Sequence, residues 1–187
     1  MKESKDNTMN ILNQQLTNIS AENQFLTFKV VNEEYGVDVL RVQEIIRYIK
    51  PTEIPNTPEV MKGVINFRGE VIPVIDLRKK FGLDFGEYNE FTVIIVLEVE
   101  DKIIGVIVDQ VSDIISFSTE DIQDNLEFGS DIDTKFIKGM AKVEDRLIML
   151  LELERLISFE NFKKINNLDT NMVLAEENQE KEEQDEL

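Results

Sequence analysis

Tyr35-Gly36-Val37-Asp38-Val39-Leu40-Arg41-Val42-Gln43-Glu44-Ile45-Ile46 returns later in the chain as Ile104-Gly105-Val106-Ile107-Val108-Asp109-Gln110-Val111-Ser112-Asp113-Ile114-Ile115. Gly36 aligns with Gly105, Val42 with Val111, Glu44 with Asp113, and the isoleucine pairs coincide. A second block repeats in the same order. Met61-Lys62-Gly63-Val64 corresponds to Ile137-Lys138-Gly139-Met140, and Val71-Ile72-Pro73-Val74-Ile75-Asp76-Leu77 to Leu147-Ile148-Met149-Leu150-Leu151-Glu152-Leu153. Two blocks in one order mark an internally duplicated fold. The expected units are two similar subdomains over residues 24–82 and 90–157, together one domain over about residues 24–160.

Each half reads as short strands. Leu26, Phe28 and Val30 alternate with Thr27 and Lys29, the period of a half-buried strand. Phe91 to Val99 and Ile103 to Val108 read as a hairpin turning at Glu100-Asp101-Lys102. Thr57-Pro58-Glu59 has the form of a helix start, with Gly63 ending that helix. Phe67-Arg68-Gly69-Glu70 reads as a hairpin turn in which Gly69 supplies a positive φ. Asp76 to Phe81 reads as a short helix closed by Gly82, and Leu40 to Gln43 as a helical turn. The expected class is mainly β with short helices, and five strands per half fit a small closed barrel.

Several strands are apolar on both faces: Val93 to Leu97, Ile103 to Val108 and Leu147 to Leu151. One face of a barrel strand fills the interior, so the second needs its own cover. Packing of the two barrels against each other is expected to cover about half of these faces. The rest, with residues such as Ile94 and Val106, is expected to line a partner groove.

The composition narrows the function. The chain has 187 residues and a formal net charge of -18, which repels phosphate backbones and argues against nucleic acid as a partner. It has no cysteine and no histidine, which excludes thiolate and imidazole chemistry and the usual zinc sites. Met1 to Ser20 is polar, without the apolar stretch of a signal peptide, and is expected to be flexible. No apolar run is long enough to insert in a membrane, so a cytoplasmic protein is expected. Residues 165–187 form an acidic tail that is expected to be disordered, serving as a docking or a solubilising segment.

Three stretches together resemble the CheW family, the chemotaxis coupling proteins. They are Gly36 to Ile45; Asn56-Thr57-Pro58 with Lys62 to Gly69 and Val71 to Arg78; and Gly105 to Asp113. The resemblance spans about residues 24–157. It implies two SH3-like five-stranded β-barrels, no catalysis and no cofactor. It implies two partners: methyl-accepting chemotaxis receptors, at their cytoplasmic tip, and the regulatory domain of the histidine kinase CheA. Such a protein would be associated with membrane-bound receptor arrays. Carried over residue by residue, Val42, Glu44, Arg68, Val93, Val111 and Ile114 match receptor-coupling and groove positions. Gly63, Asn66, Phe67, Gly69 and Val71 match a kinase-facing surface. Phe67 stands where the family often has leucine. Glu44 and Arg68 could pair at the groove's rim; as an ordinary surface pair this would contribute about 0–1 kcal/mol.

Rival chemistries have thinner support. An acid–base enzyme would draw on Asp76, Asp109 and Asp113, although Asp109 reads as a solvated turn residue. A cation site would use Ser130, Asp131 and Asp133, which lack the length and glycine placement of an EF-hand loop. An SH3-like scaffold for another two-component signalling complex would keep the barrels and lose the receptor.

Overall fold

The structure, a computed structural model, describes residues 2–17, 23–83, 86–123 and 135–157. The acidic tail and the Ser130-Asp131-Asp133 group lie outside the described residues. A helix, α1 (Lys2–Thr17), precedes β1 (Gln24–Val30), β2 (Glu33–Asp38), β3 (Val42–Arg47), β4 (Met61–Phe67) and β5 (Glu70–Asp76). After the short α2 (Leu77–Lys80) come β6 (Val93–Val99), β7 (Lys102–Val108), β8 (Gln110–Ser116), β9 (Ile122–Gln123), β10 (Ile137–Val143), β11 (Arg146–Leu151) and α3 (Leu153–Leu156). Among the described residues, no helix is long and apolar enough to cross a membrane.

The strands form two sheets, ordered β3-β6-β7-β5-β4 and β8-β1-β2-β11-β10-β9. The sequence repeat is visible in both. Each has one parallel junction, β5 with β7 and β11 with β2, and each has a register shift just before a glycine, Gly63 in β4 and Gly139 in β10. The repeated glycines sit at the parallel junctions, Gly105 opposite Val74 and Gly36 opposite Leu150. A Cβ on Gly105 would come 2.8 Å from Ile94 Cγ2, and one on Gly36 would come 3.0 Å from Leu150 Cδ2. Both positions therefore exclude side chains by close packing.

The sheets do not follow the halves. Each combines the first two strands of one half with the later strands of the other, so residues 24–82 and 90–157 are two interlocked copies rather than two successive barrels. A repeat shows which strands are equivalent. It does not show whether a hairpin pairs within its own copy or with the matching edge of the other, because both choices satisfy the same alternation. One sheet has five strands and the other six, the sixth being the two-residue β9.

Each sheet rolls around its own core. Ile46 of β3 and Phe67 of β4, from opposite ends of the five-stranded sheet, pack on one cluster of Ile65, Ile72, Val74, Ile94, Val96 and Ile107. Ile115 of β8 and Ile122 of β9 likewise share a cluster of Phe25, Phe117, Ala141, Ile148 and Leu150. The second apolar faces of β6 and β7 are covered within the molecule, while Leu147 of β11 stays 54% exposed. Ile95, Leu97 and Ile104 are fully buried, β1 touches β7, and Asp109 N–H donates to Lys29 O at 3.0 Å across the two sheets. Ile94 and Val106, expected to line a partner groove, are 0% and 1% exposed. Burying each such side chain stabilises the fold by about 1.5–3 kcal/mol, which favours internal packing over an open face.

Two local expectations change. No helix forms at Thr57: the Thr57 hydroxyl donates to Ile54 O at 2.9 Å in a turn, and Gly63 lies inside β4. The N-terminal segment, expected to be flexible, forms α1, which buries Leu12 and packs on β3. The Asp76 helix is as read. Asp76 caps α2 by accepting Arg78 N–H at 2.8 Å, and Gly82 follows with φ 70°.

Candidate functional site

The two end strands of the five-stranded sheet meet at a polar seam. Relative to β6, β3 shifts register between Val42 and Glu44, a bulge that re-aims the following side chains. Glu44 Oε2 accepts Arg68 Nη2–H at 2.7 Å across this seam. Arg68 comes from the β4–β5 turn, where Arg68 and Gly69 have φ 53° and 91°. Two positive angles in a two-residue loop suit the strand twist of a hairpin. A non-glycine residue in this region costs about 1–2 kcal/mol. The Asn66 carboxamide holds the loop by accepting Gly69 N–H at 2.9 Å, and the Arg68 guanidinium lies 5.1 Å over the Phe67 ring.

The receptor-coupling candidates divide between the sheets. Val42 and Val93 flank the seam on the paired strands β3 and β6, but both are buried, at 8% and 7% exposure. Their accessible neighbours are Glu44 and Arg68. Val111 and Ile114 lie on β8, the end strand of the other sheet, paired to Phe28 and Leu26 and half-buried.

The kinase-facing candidates all lie on the β4–β5 hairpin, and all but one reach its surface. Asn66 and Gly69 are exposed, Phe67 is half-buried, and Val71, opposite Asn66, is 50% exposed. Gly63 is buried. A Cβ there would lie 2.0 Å from Thr52 O, because Thr52 and Val64 form a backbone bridge alongside it. Gly63 is thus kept free of a side chain by the backbone it packs on, and it offers a partner nothing to touch.

A polar network of Asp76, Arg78, Tyr88 and Asp109 was not legible in the sequence. Arg78 Nε donates to Asp109 Oδ1 at 2.6 Å, and Val31 N–H donates to Asp109 Oδ2 at 2.6 Å. Arg78 Nη1 also donates to Gly86 O at 3.1 Å, and the Tyr88 hydroxyl donates to Asp76 Oδ2. Burial, then the bond to Asp76, pushes the Tyr88 phenol well above its ordinary value. Asp109 is therefore a half-buried tie between the sheets rather than a solvated turn residue. The carboxylates of Asp76 and Asp109 accept structural donors, and Asp113 Oδ1 accepts Ile114 N–H at 2.8 Å. Glu34 and Arg146 form a two-point pair at 2.6 and 3.0 Å, which the repeat also failed to show.

Comparison with known proteins agrees with this architecture. Residues 24–161 match the CheW-like domain family. The chain is 41% identical over 145 residues to the chemotaxis protein CheW of Klebsiella aerogenes, covering 78% of this chain and 87% of that one. It is 34% identical over 144 residues to the chemotaxis protein CheW of Bacillus subtilis, covering 76% and 92%. Among solved structures, the scaffolding protein TtCheW from Thermoanaerobacter tengcongensis superimposes with a TM-score of 0.68 at 35% identity, covering 73% of this chain and 92% of that one.

Proposed function

This chain belongs to the CheW family, and from that premise we propose that it is a non-catalytic adaptor coupling methyl-accepting chemotaxis receptors to the histidine kinase CheA. The observation that carries the site assignment is the Glu44–Arg68 seam, which joins residues from two separate family stretches at 2.7 Å. Glu44 and Arg68 fix the seam's polar rim, and Val42 and Val93 lie buried at the two ends of the β3–β6 pairing beside it. A receptor helix would lay its apolar stripe along this rim and take part of its affinity from burial. Val111 and Ile114 extend the receptor surface onto the second sheet.

The kinase surface is the β4–β5 hairpin. Val71 offers an exposed aliphatic contact beside Asn66, and Phe67 adds a half-buried aromatic ring, a residue type enriched at interface centres. Gly63 and Gly69 serve this surface by shaping the hairpin. The adaptor would work beside receptors in the cytoplasm, without entering the membrane.

The test is binding to a cytoplasmic receptor fragment and to the kinase regulatory domain, each with wild type and with Val71→Asp. Val71→Asp is expected to weaken kinase-domain binding and leave the receptor fragment bound. Equal binding of the kinase domain by both forms would remove the hairpin from the interface.

A further inference from the structure

We infer that α1 is a resident occupant of the receptor-docking seam and that it must move aside for a partner helix to bind. The inference rests on the reading of Glu44 and Arg68 as receptor-coupling residues and adds a regulation of that same site.

β3 is an end strand of its sheet, so the backbone of Ile45 has a side that β6 does not pair. The Asn13 side chain of α1 occupies that side at two points. Asn13 Nδ2 donates to Ile45 O at 3.1 Å, and Ile45 N–H donates to Asn13 Oδ1 at 3.0 Å. A single carboxamide thus stands in for an adjacent strand. Leu12, beside it, is buried to 4% exposure, while Ile11 is 47% exposed. The seat lies one residue from Glu44, so α1 docks on the edge of the strand that carries the Glu44–Arg68 pair.

Two features make this contact displaceable. The helix has 16 polar-rich residues without an alanine, so it depends on tertiary packing, to which the buried Leu12 and the Asn13 bonds to β3 contribute. Release would therefore unwind it, an order–disorder step rather than a rigid swing. The seat also states what it accepts: an α-helix presenting an aliphatic residue followed by a side-chain amide. A receptor helix with that pair would meet the same Ile45 backbone and continue onto Val42 and Glu44.

If α1 covers the seam nine-tenths of the time, freeing it raises apparent affinity roughly tenfold. The experiment compares the full chain with its Leu12→Ala/Asn13→Ala variant, measuring affinity for the cytoplasmic receptor fragment and amide exchange at Ile45. Loss of Ile45 protection in the free variant, tighter receptor binding, and return of protection in the complex are the expected results. A second variant, Leu12→Gln alone, should give an intermediate gain. Unchanged affinity in the double variant, with Ile45 deprotected, would overturn the inference and leave the receptor assignment standing. Self-association of the variant with weaker receptor binding would also overturn it, assigning α1 to protection of the strand edge. Failure of both forms to bind the fragment would overturn the receptor reading, and this inference with it.

Discussion

Replacing Asp109 by alanine removes the acceptor of two donors at once, and the cost can be worked from the structure. The Arg78 and Asp109 side chains are 10% and 15% exposed, so this is a largely buried ion pair with a 2.6 Å contact. Removing one partner of such a pair costs up to about 3–5 kcal/mol, because the buried guanidinium loses its close contact with the Asp109 carboxylate. Val31 N–H loses its acceptor as well, a further penalty of up to about 1–3 kcal/mol for a fully buried donor. Val31 is half-buried and the two losses overlap, so the expected destabilisation is about 4 kcal/mol. Urea unfolding of wild type, Asp109→Ala, Arg78→Met and the double variant would measure it. The two positions should couple by at least about 2 kcal/mol, with the double variant better than the sum of the singles. Loss of less than about 1 kcal/mol in Asp109→Ala, or plain additivity, would refute the claim that this pair ties the sheets together.

Three further outcomes are expected. Gly63→Ala should lose more than about 1 kcal/mol in the same unfolding assay, since its Cβ would strike Thr52 O at 2.0 Å and its φ is 137°; Gly69→Ala, with open space around it, should lose less. The exposed Glu44–Arg68 pair should show a stability coupling of no more than about 1 kcal/mol, so a strong coupling in receptor binding would be specific to the complex. All three tyrosines are held above their ordinary value of about 10, burial being the first cause for each. A raised folded value means the neutral phenol is favoured by folding. That stability is present below about pH 10 and is lost as pH rises toward the folded values. Near-ultraviolet absorbance should therefore show tyrosinate formation displaced above the ordinary range, with Tyr88 the last to ionise, while circular dichroism reports a folded chain; ionisation of all three tyrosines at about pH 10 in the folded protein would contradict the burial of Tyr88.

The sequence carried the strand content, because alternation in Leu26 to Val30 and the repeated glycines Gly36 and Gly105 are local signals of burial and close approach. It also carried the Glu44–Arg68 meeting, through the resemblance of two separate stretches to one family. It did not carry the exchange of strands between halves. Equivalent hairpins have equivalent sequences, and only the folded sheets show that β1 and β2 pair with β8 and β11. Asp109 was misread because a lone aspartate after an apolar strand looks like a turn residue, and its partners Arg78 and Val31 are distant in sequence. The faces of Ile94 and Val106 were misassigned for a related reason. A strand apolar on both sides shows that a cover exists without saying whether the cover is the chain itself. Gly63 looked like a helix end because Thr57-Pro58 is a strong start signal, and the Thr52 bridge that overrides it is invisible in a linear reading.

In the proposed arrangement the Glu44–Arg68 seam engages receptors while the face of the β4–β5 hairpin carrying Asn66 and Val71 engages the kinase. Binding of Arg68→Glu to a cytoplasmic receptor fragment and to the kinase regulatory domain tests it most directly. Reversing this charge places two carboxylates together at the seam, so receptor binding should weaken while the kinase domain stays bound. Undiminished receptor binding by a folded Arg68→Glu chain, or failure of the wild-type protein to bind either partner, would rule out this division of surfaces.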